Sequence, residues 1–516
     1  MRINITHIIV FVVYSYFFTP VTLAKTPFIP DNSLREAISK LSTDIKFRHS
    51  LGINNHALLE EFYDKVHYNL QWFSAAGDVA KRNELNSLIS KPEQFMLDGG
   101  NYHSGFLTSK KQLLSKKDTL YAEILFSDAA LSFLQDLTYP SVEMVKYNGW
   151  QYNPDCIAIT SLLQEALSSG NLHNAITATE PVSKEYVMIK TTYDRLYALS
   201  VKKDFQEVVV KEKVPTNANK NLMYKLQQLG YLNISDTMSV HIKNALQKLQ
   251  ATHNLPVEDI IGTACMKVLN EPVKEKLRKL RWNIRWYRWL SCMQNRSYIL
   301  VNIAANSLTF FDCNEAILTS KIIVGKTSTP TPLLTGCINT VIYYPYWNVP
   351  FSIATKEMLP RLKRNPSYLD GLKIQVLQGN RTFASSANIN WHKYSAHNFP
   401  FNFRQLPGCH NSLGLIKFDF KNPFNVYLHD TNNKTAFLSN YKFLSHGCIR
   451  VEKAHDLALA LGIEAEEVNM DSCYTSMLPK LINLHKPVPV FIIYATIDIV
   501  NDELMWFEDA YHKTYN

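Results

Sequence analysis

The sequence predicts a multidomain α+β protein, with helices in its N-terminal half and a β-rich domain at its C-terminal end. The 516 residues suffice for about two to four domains, and an apolar content of 46% allows sizeable cores. Apolar residues recur at helical spacing up to about residue 290, and runs typical of strands follow from about residue 297.

The first 24 residues have the features of an export signal. Arg2 gives a positive start, residues 8–18 are mostly apolar, and Ala24 is a small residue suited to cleavage before Lys25. The apolar stretch is shorter than the roughly 20 residues that a transmembrane helix needs. We predict a signal peptide at 1–24, with an uncleaved membrane anchor as the alternative.

Residues 25–215 predict a helical domain without a chemical motif. The segment Leu120–Leu131 is apolar at helical spacing, which indicates a packed helix whose aromatic side chains belong to a core rather than to a ligand site.

Residues 216–272 predict a small helical domain. Leu222, Leu226 and Leu229 have helical spacing, and Gly230 follows as a helix stop. A second amphipathic run repeats this plan at Ile242, Ala245, Leu246 and Leu249.

Residues 273–296 form the next region in this prediction. Its sequence predicts a basic amphipathic helix at Lys274–Leu290, rich in arginine and tryptophan. Such a helix can lie on a membrane surface. It can also connect two domains, with arginine stems covering apolar surface, and we favour this second interpretation.

Residues 297–516 predict a β-rich domain interrupted by an insertion. The insertion spans Phe351 to about Pro407, and its signals are helical, as at Ile353–Leu362, or typical of turns. Its histidines His392 and His397 have no neighbouring cysteine, so we expect a lid rather than a second reactive site.

Net charge and cysteine content limit the classes of partner and cofactor that we expect. A formal charge of +9 favours an anionic partner, and an exported protein without a nucleic-acid motif is better matched to a carboxylate-bearing wall polymer than to nucleic acid. The eight cysteines are scattered and have no metal-ligand spacing, so we predict neither a metal nor a cofactor and leave disulfide pairing open.

The segment Tyr427–Val451 contains the candidate catalytic residues. Cys448 is a candidate nucleophile, and His429, 19 residues earlier, is a candidate base for its thiol. Gly447 allows close backbone approach and has an amide suited to an oxyanion, while Arg450 suits a carboxylate. His446, beside the cysteine, is a rival base.

These residues closely resemble a known signature. The run S-x-G-C-x-R at Ser445–Arg450, after His429-Asp430-Thr431, resembles that of the L,D-transpeptidases, cysteine enzymes of the YkuD-like fold that cross-link peptidoglycan. Residues 216–272 are similar to a three-helix peptidoglycan-binding module at Leu226, Gly230, Tyr231, Ala245, Gln250, Leu255 and Gly262. Residues 25–215 loosely resemble the helical scaffold of the large Gram-negative members, and the insertion takes the place of their capping subdomain.

The resemblance implies a periplasmic enzyme of cell-wall biogenesis. Its substrates would be peptidoglycan stem peptides and glycan, with peripheral inner-membrane contact as a further possibility. Cys448 would form a thioester with release of D-Ala, and a second stem's amine would complete a 3→3 cross-link. His429 and Gly447 would assist Cys448, while substrate-binding residues would be Tyr427, Ser445, His446 and Arg450.

Three alternatives remain open at this stage. Water as acceptor would make an L,D-carboxypeptidase, and a lipoprotein lysine would make an anchoring enzyme. A chain with a dead catalytic domain would only bind the wall, but the intact cysteine motif argues against this.

Overall fold

The computed structural model describes residues 31–513, apart from 54, 75–77, 101, 110–114, 147, 212, 216–218, 237 and 465–477. The predicted signal peptide lies outside the described residues. Within the described ranges, no helix combines the length and the apolar character needed to cross a membrane.

The N-terminal part is helical, with a hydrophobic core. Its helices are α1 (Asp31–Thr43), α2 (Ile45–Leu51), α3 (His56–Lys65), α4 (Asp78–Ile89), α5 (Ser104–Leu107), α6 (Lys116–Thr138), α7 (Ile159–Ser169), α8 (Leu172–Thr179) and α9 (Lys184–Ser200), with a 3₁₀ turn at Pro92–Phe95. Helix α6 contains the predicted packed helix and begins at a capping box of Ser115 and Asp118. Most of its side chains are buried, because it contacts several of the surrounding helices.

Three helices with their own small core follow, and we call residues 220–269 the three-helix module. They are α10 (Lys220–Leu229), α11 (Ser239–Thr252) and α12 (Thr263–Leu269). Helix α10 ends at Gly230, whose φ of 81° is left-handed, so the predicted helix stop is confirmed.

Helix α13 (Val273–Trp289) connects the parts of the molecule. Its apolar face packs on α9, while Trp286 and Trp289 are buried in the core of the C-terminal domain. A disulfide between Cys156 and Cys292 joins the segment before α7 to the 3₁₀ turn after α13 (Ser291–Met293). Because its tryptophans are largely buried inside the protein, the helix has the structure expected of a connector.

The C-terminal domain is built on a nine-stranded mixed sheet. Its strands are β1 (Tyr298–Asn302), β2 (Ser307–Asp312), β3 (Glu315–Gly325), β4 (Leu334–Tyr343), β9 (Ile416–Asp419), β10 (Leu428–His429), β11 (Phe443–Ser445), β12 (Ile449–Val451) and β13 (Lys480–Ile493). The order is β11-β3-β12-β10-β9-β4-β13-β1-β2, and β2 also pairs with β3, so the strands from β3 to β2 in this order close into a barrel-like ring, with β11 paired to β3 outside it. Helix α16 (Ala454–Ala460) packs against this sheet. After β13 the chain forms a hairpin of β14 (Ile497–Val500) and β15 (Glu503–Trp506).

The insertion has a sheet and a core of its own, which differs from the helical and turn-rich segment that the sequence predicts. It contains α14 (Phe351–Ile353), a π-helical turn (Ala354–Met358), α15 (Leu359–Arg364), β6 (Ile374–Gln378), β7 (Arg381–Phe383) and β8 (Asn402–Gln405), and β5 (Trp347–Asn348), just before it, joins its sheet. The strands pair in the order β5-β8-β6-β7, and Trp391 is buried among the aromatic residues that fill the core. Because β5 pairs with β8, the two ends of the insertion lie side by side.

Candidate active site

Strand pairing places the predicted site residues on one face of the sheet. Strands β10 and β12 are parallel neighbours, with Leu428 opposite Ile449 and His429 opposite Arg450. Side chains alternate between faces along a strand, so burial of Leu428 and Ile449 in the core turns their neighbours to the other face. These neighbours are Tyr427, His429, Cys448 and Arg450.

This face forms one wall of a cleft of about 760 Å³, which we call the first cleft. The opposite wall comes from the insertion and includes Glu357, Met358 and Arg361. The first cleft therefore lies between the catalytic sheet and the lid that the sequence predicts.

The Cys448 thiol is half-buried and held by two neighbours. Its sulfur lies 3.6 Å from the Asn425 carbonyl oxygen, to which the thiol donates, and it accepts a hydrogen bond from the Tyr427 hydroxyl. Burial raises the pKa of Cys448, while hydrogen bonds from Tyr427 and the charges of Lys417 and Arg450 act in the opposite direction. Cys448 is therefore a thiol in the unliganded site, and Tyr427, Lys417 and Arg450 would stabilise the thiolate once it forms.

His429 is buried and neutral. Burial, reinforced by the charge of Arg450, lowers the pKa of His429 to about 3. Its Nδ1 lies 2.5 Å from the backbone oxygen of Asp430, so this carbonyl orients the ring. The Asp430 carboxylate instead accepts from the Leu415 amide at 2.9 Å and pairs with Lys434.

Tyr427 links the histidine to the thiol. No direct hydrogen bond joins His429 to Cys448 among the residues that the structure describes. The Tyr427 ring packs edge-on against His429, with 5.6 Å between ring centroids, and its hydroxyl contacts Cys448. Burial raises the pKa of Tyr427, which keeps this hydroxyl a donor.

The loop before Cys448 is fixed by hydroxyl groups. The Ser445 hydroxyl accepts from the Gly447 amide at 3.1 Å and donates to the Cys448 carbonyl at 2.5 Å. Thr331 holds the Gly447 carbonyl at 2.9 Å. Gly447 has φ = +117°, a conformation that favours glycine. In this conformation its amide is occupied by Ser445 rather than open to an oxyanion.

Arg450 and His446 occupy different positions at the first cleft. The Nε of Arg450 is buried and has no hydrogen-bond acceptor among the described residues, so the guanidinium can receive an anion. His446 pairs with Glu357 of the insertion, a contact that joins the lid to the nucleophile loop. His446 is therefore engaged by the lid, and within the described part of the chain it makes no hydrogen bond to the thiol of Cys448.

The sequence reasoning missed several contributors to this arrangement. Asn425 and Lys417 surround the thiol, Thr331 fixes the loop, and Glu357 comes from the insertion. Alternation along β9 would have placed Lys417 on the same face as His429, its register partner. The other contacts join distant segments and leave no local pattern.

No group of three or more histidine, cysteine or acidic side chains within the described ranges is arranged to hold a metal ion.

Comparisons with known proteins agree with this picture of the C-terminal domain. Residues 296–465 match the family model of the YkuD L,D-transpeptidase catalytic domain, and residues 57–192 match the model of a Scaffold domain. Neither of these matches covers the three-helix module.

A protein of Haemophilus influenzae named "Putative L,D-transpeptidase" is 31% identical over 236 residues, which make up 45% of this chain and 47% of that protein. The chain spans about half the length of this curated relative. Together the matches support a YkuD L,D-transpeptidase catalytic domain after a helical N-terminal part.

Proposed function

We propose that the protein is an exported L,D-transpeptidase that forms 3→3 peptidoglycan cross-links through a thioester on Cys448. One observation carries the proposal: a single sheet face, within the segment that matches the catalytic family, presents Tyr427, His429, Cys448 and Arg450 to the first cleft.

Arg450 anchors the donor stem peptide in this proposal. The buried Nε of Arg450, which has no acceptor among the described residues, is costly unless an anion binds it, and stem peptides carry carboxylates. Binding there brings the carbonyl of the third stem residue to the sulfur of Cys448. Attack forms the C–S bond and breaks the C–N bond to D-Ala.

His429 accepts and donates the transferred proton in both half-reactions. The charge of Arg450 is one cause of the low pKa of His429, so a substrate carboxylate bound to Arg450 would raise that pKa and make the imidazole a stronger base. The neutral imidazole can then accept the thiol proton and return it to the departing amine of D-Ala. Catalytic hydrogen bonds are often long in unliganded enzymes and tighten when substrate binds, which is consistent with the present separation of His429 from the thiol. Tyr427, in contact with both groups, stabilises the thiolate meanwhile.

The oxyanion of the tetrahedral intermediate is stabilised by the Cys448 amide and the Tyr427 hydroxyl. The Gly447 amide takes part after a small change of the loop that releases it from Ser445. Ser445 is then a residue that positions the nucleophile loop.

The lid favours cross-linking over hydrolysis. The insertion covers the first cleft and contacts the nucleophile loop through Glu357 and His446, which limits access of water to the thioester. An amine acceptor therefore suits this geometry better than water does.

Other parts of the proposal concern the location of the protein. The disulfide between Cys156 and Cys292 is typical of proteins outside the reducing cytosol, which supports export to the periplasm. Glycan binding by the three-helix module and peripheral contact with the inner membrane are further parts of the same proposal.

The proposal is tested by incubating purified residues 25–516 with disaccharide tetrapeptides and analysing the products by mass spectrometry. We expect D-Ala release and 3→3 dimers. Cys448→Ala should form neither, whereas Cys337→Ala, which removes a free cysteine outside the first cleft, should match the parent. Near-parental dimer formation by Cys448→Ala would refute the proposal, and monomeric tripeptide alone would indicate a carboxypeptidase.

A further inference from the structure

A second cleft opens on the other side of the nucleophile loop. It has a volume of about 510 Å³ and shares Phe424, Val426 and His446 with the first cleft, so these side chains separate the two. Cys448 lines the first cleft, and Gly447 lines the second. A thioester on Cys448 would lie beside the partition, within reach from both sides.

The helical N-terminal part supplies one wall of the second cleft. Residues 143–145, which we call the strap, follow α6 and line the cleft beside His446. The strap is held to the catalytic domain by a hydrogen bond from the Val145 amide to the Leu333 carbonyl, 3.0 Å long, and by packing of Met144 on the core. This cleft is therefore complete only when the N-terminal part and the catalytic domain are together.

Opposite charges lie at the second cleft. Glu143 of the strap and Lys513 near the C-terminus both line it, and both also line an adjoining cavity of about 450 Å³. Arg285 of α13 borders that cavity, and its Nε is buried without an acceptor among the described residues. Carboxylate and cationic groups close together suit a ligand that carries both an amine and carboxylates.

We propose that the second cleft binds the acyl acceptor, a stem peptide with a free side-chain amine, and that the strap makes the N-terminal part a component of the acceptor site. This inference rests on the proposed function. The donor fills the first cleft during acylation, so a second peptide has to approach from another side. Its amine attacks the thioester, the C–N bond forms, the C–S bond breaks, and the proton lost by nitrogen restores the thiol.

The two half-reactions can be measured apart. A synthetic stem tetrapeptide ending in D-Ala serves as donor, and a stem tripeptide with a free side-chain amine serves as acceptor. Intact mass follows acylation of Cys448, and chromatography gives the ratio of cross-linked product to hydrolysed tripeptide over a range of acceptor concentrations.

Charge reversal at the second cleft should affect only the second half-reaction. We expect Lys513→Glu and Glu143→Lys to acylate within about twofold of the parent and to lower the cross-linking ratio at least about tenfold, mainly through a higher acceptor KM. Lys486→Glu, which changes an exposed lysine outside both clefts, should match the parent. Arg361→Ala, in the first cleft only, should slow acylation and leave the ratio unchanged.

Two results would overturn the inference. One is a parental cross-linking ratio in both charge-reversal variants, and the other is a loss of acylation as large as the loss of cross-linking. Because Glu143 is exposed, Glu143→Lys keeps the test available if Lys513→Glu is unstable. Absence of any Cys448 acyl-enzyme in the parent would instead refute the proposed function.

Discussion

Replacing Tyr427 with phenylalanine should make the Cys448 thiol less reactive near neutral pH. The change removes the hydroxyl that donates to the sulfur and leaves the ring that packs on His429. A hydrogen bond to a charged group contributes about 1.5–3 kcal/mol, and one pKa unit corresponds to about 1.4 kcal/mol. The pKa of the thiol should therefore rise by about one to two units in the variant.

The change in rate is smaller than the change in thiolate population. A thiolate of higher pKa is a better nucleophile, with a Brønsted coefficient of about 0.4–0.5, which offsets nearly half of the loss. Alkylation below the pKa should slow by about threefold to sixteenfold, and the rate above the pKa, where the thiol is fully ionised, should rise by about 2.5-fold to tenfold.

The assay is the pH dependence of iodoacetamide alkylation, followed by the mass of the Cys448 peptide. Tyr441→Phe is the matched control, because Tyr441 is exposed and lies outside the first cleft. A Tyr427→Phe profile that coincides with the parental profile would show that the hydroxyl does not stabilise the thiolate.

Further predictions concern the histidine, the thiol and the lid. His429 binds a proton below about pH 6.5 when unfolded but only near pH 3 when folded, so it lowers the stability of the parent as pH falls through this window, by about 1.4 kcal/mol per unit. His429→Gln should lose less stability than the parent between pH 6.5 and pH 4 in urea unfolding, and parallel curves would contradict the assigned shift. A carbapenem should add once to the protein, at Cys448, and intact mass should show no adduct in Cys448→Ala; an adduct elsewhere would count against this nucleophile. Replacing residues 351–401 by a short turn, which the pairing of β5 with β8 allows, should raise hydrolysis relative to cross-linking while alkylation of Cys448 persists. An unchanged product ratio in a folded variant would show that the lid does not exclude water.

Local patterns were sufficient to predict several elements. The connector helix predicted at Lys274–Leu290 is observed at Val273–Trp289, and the leucine spacing with Gly230 predicts α10 and its end. These elements follow from contacts between residues three or four positions apart, which a sequence displays directly.

Pairing between distant segments was not visible in the sequence. The sheet of the insertion depends on β5 and β8, which lie on either side of its helices. The contact of Glu357 with His446 joins residues 89 positions apart. The strap is held by a hydrogen bond between Val145 and Leu333, which are also far apart in the sequence. The roles of Cys448 and His429 were inferred from a motif, and the sequence did not reveal that Tyr427 lies in contact with both.

The disulfide between Cys156 and Cys292 has a consequence for cleavage of the chain. It closes a loop with a sequence separation of 136, which contains the whole three-helix module and α13. A protease that cuts once within this loop, for example between α10 and α11, leaves the N-terminal helices covalently attached to the catalytic domain. Under oxidising conditions such a nick therefore leaves the strap and the nucleophile loop in one covalent molecule, and only reduction together with cleavage would release them as two.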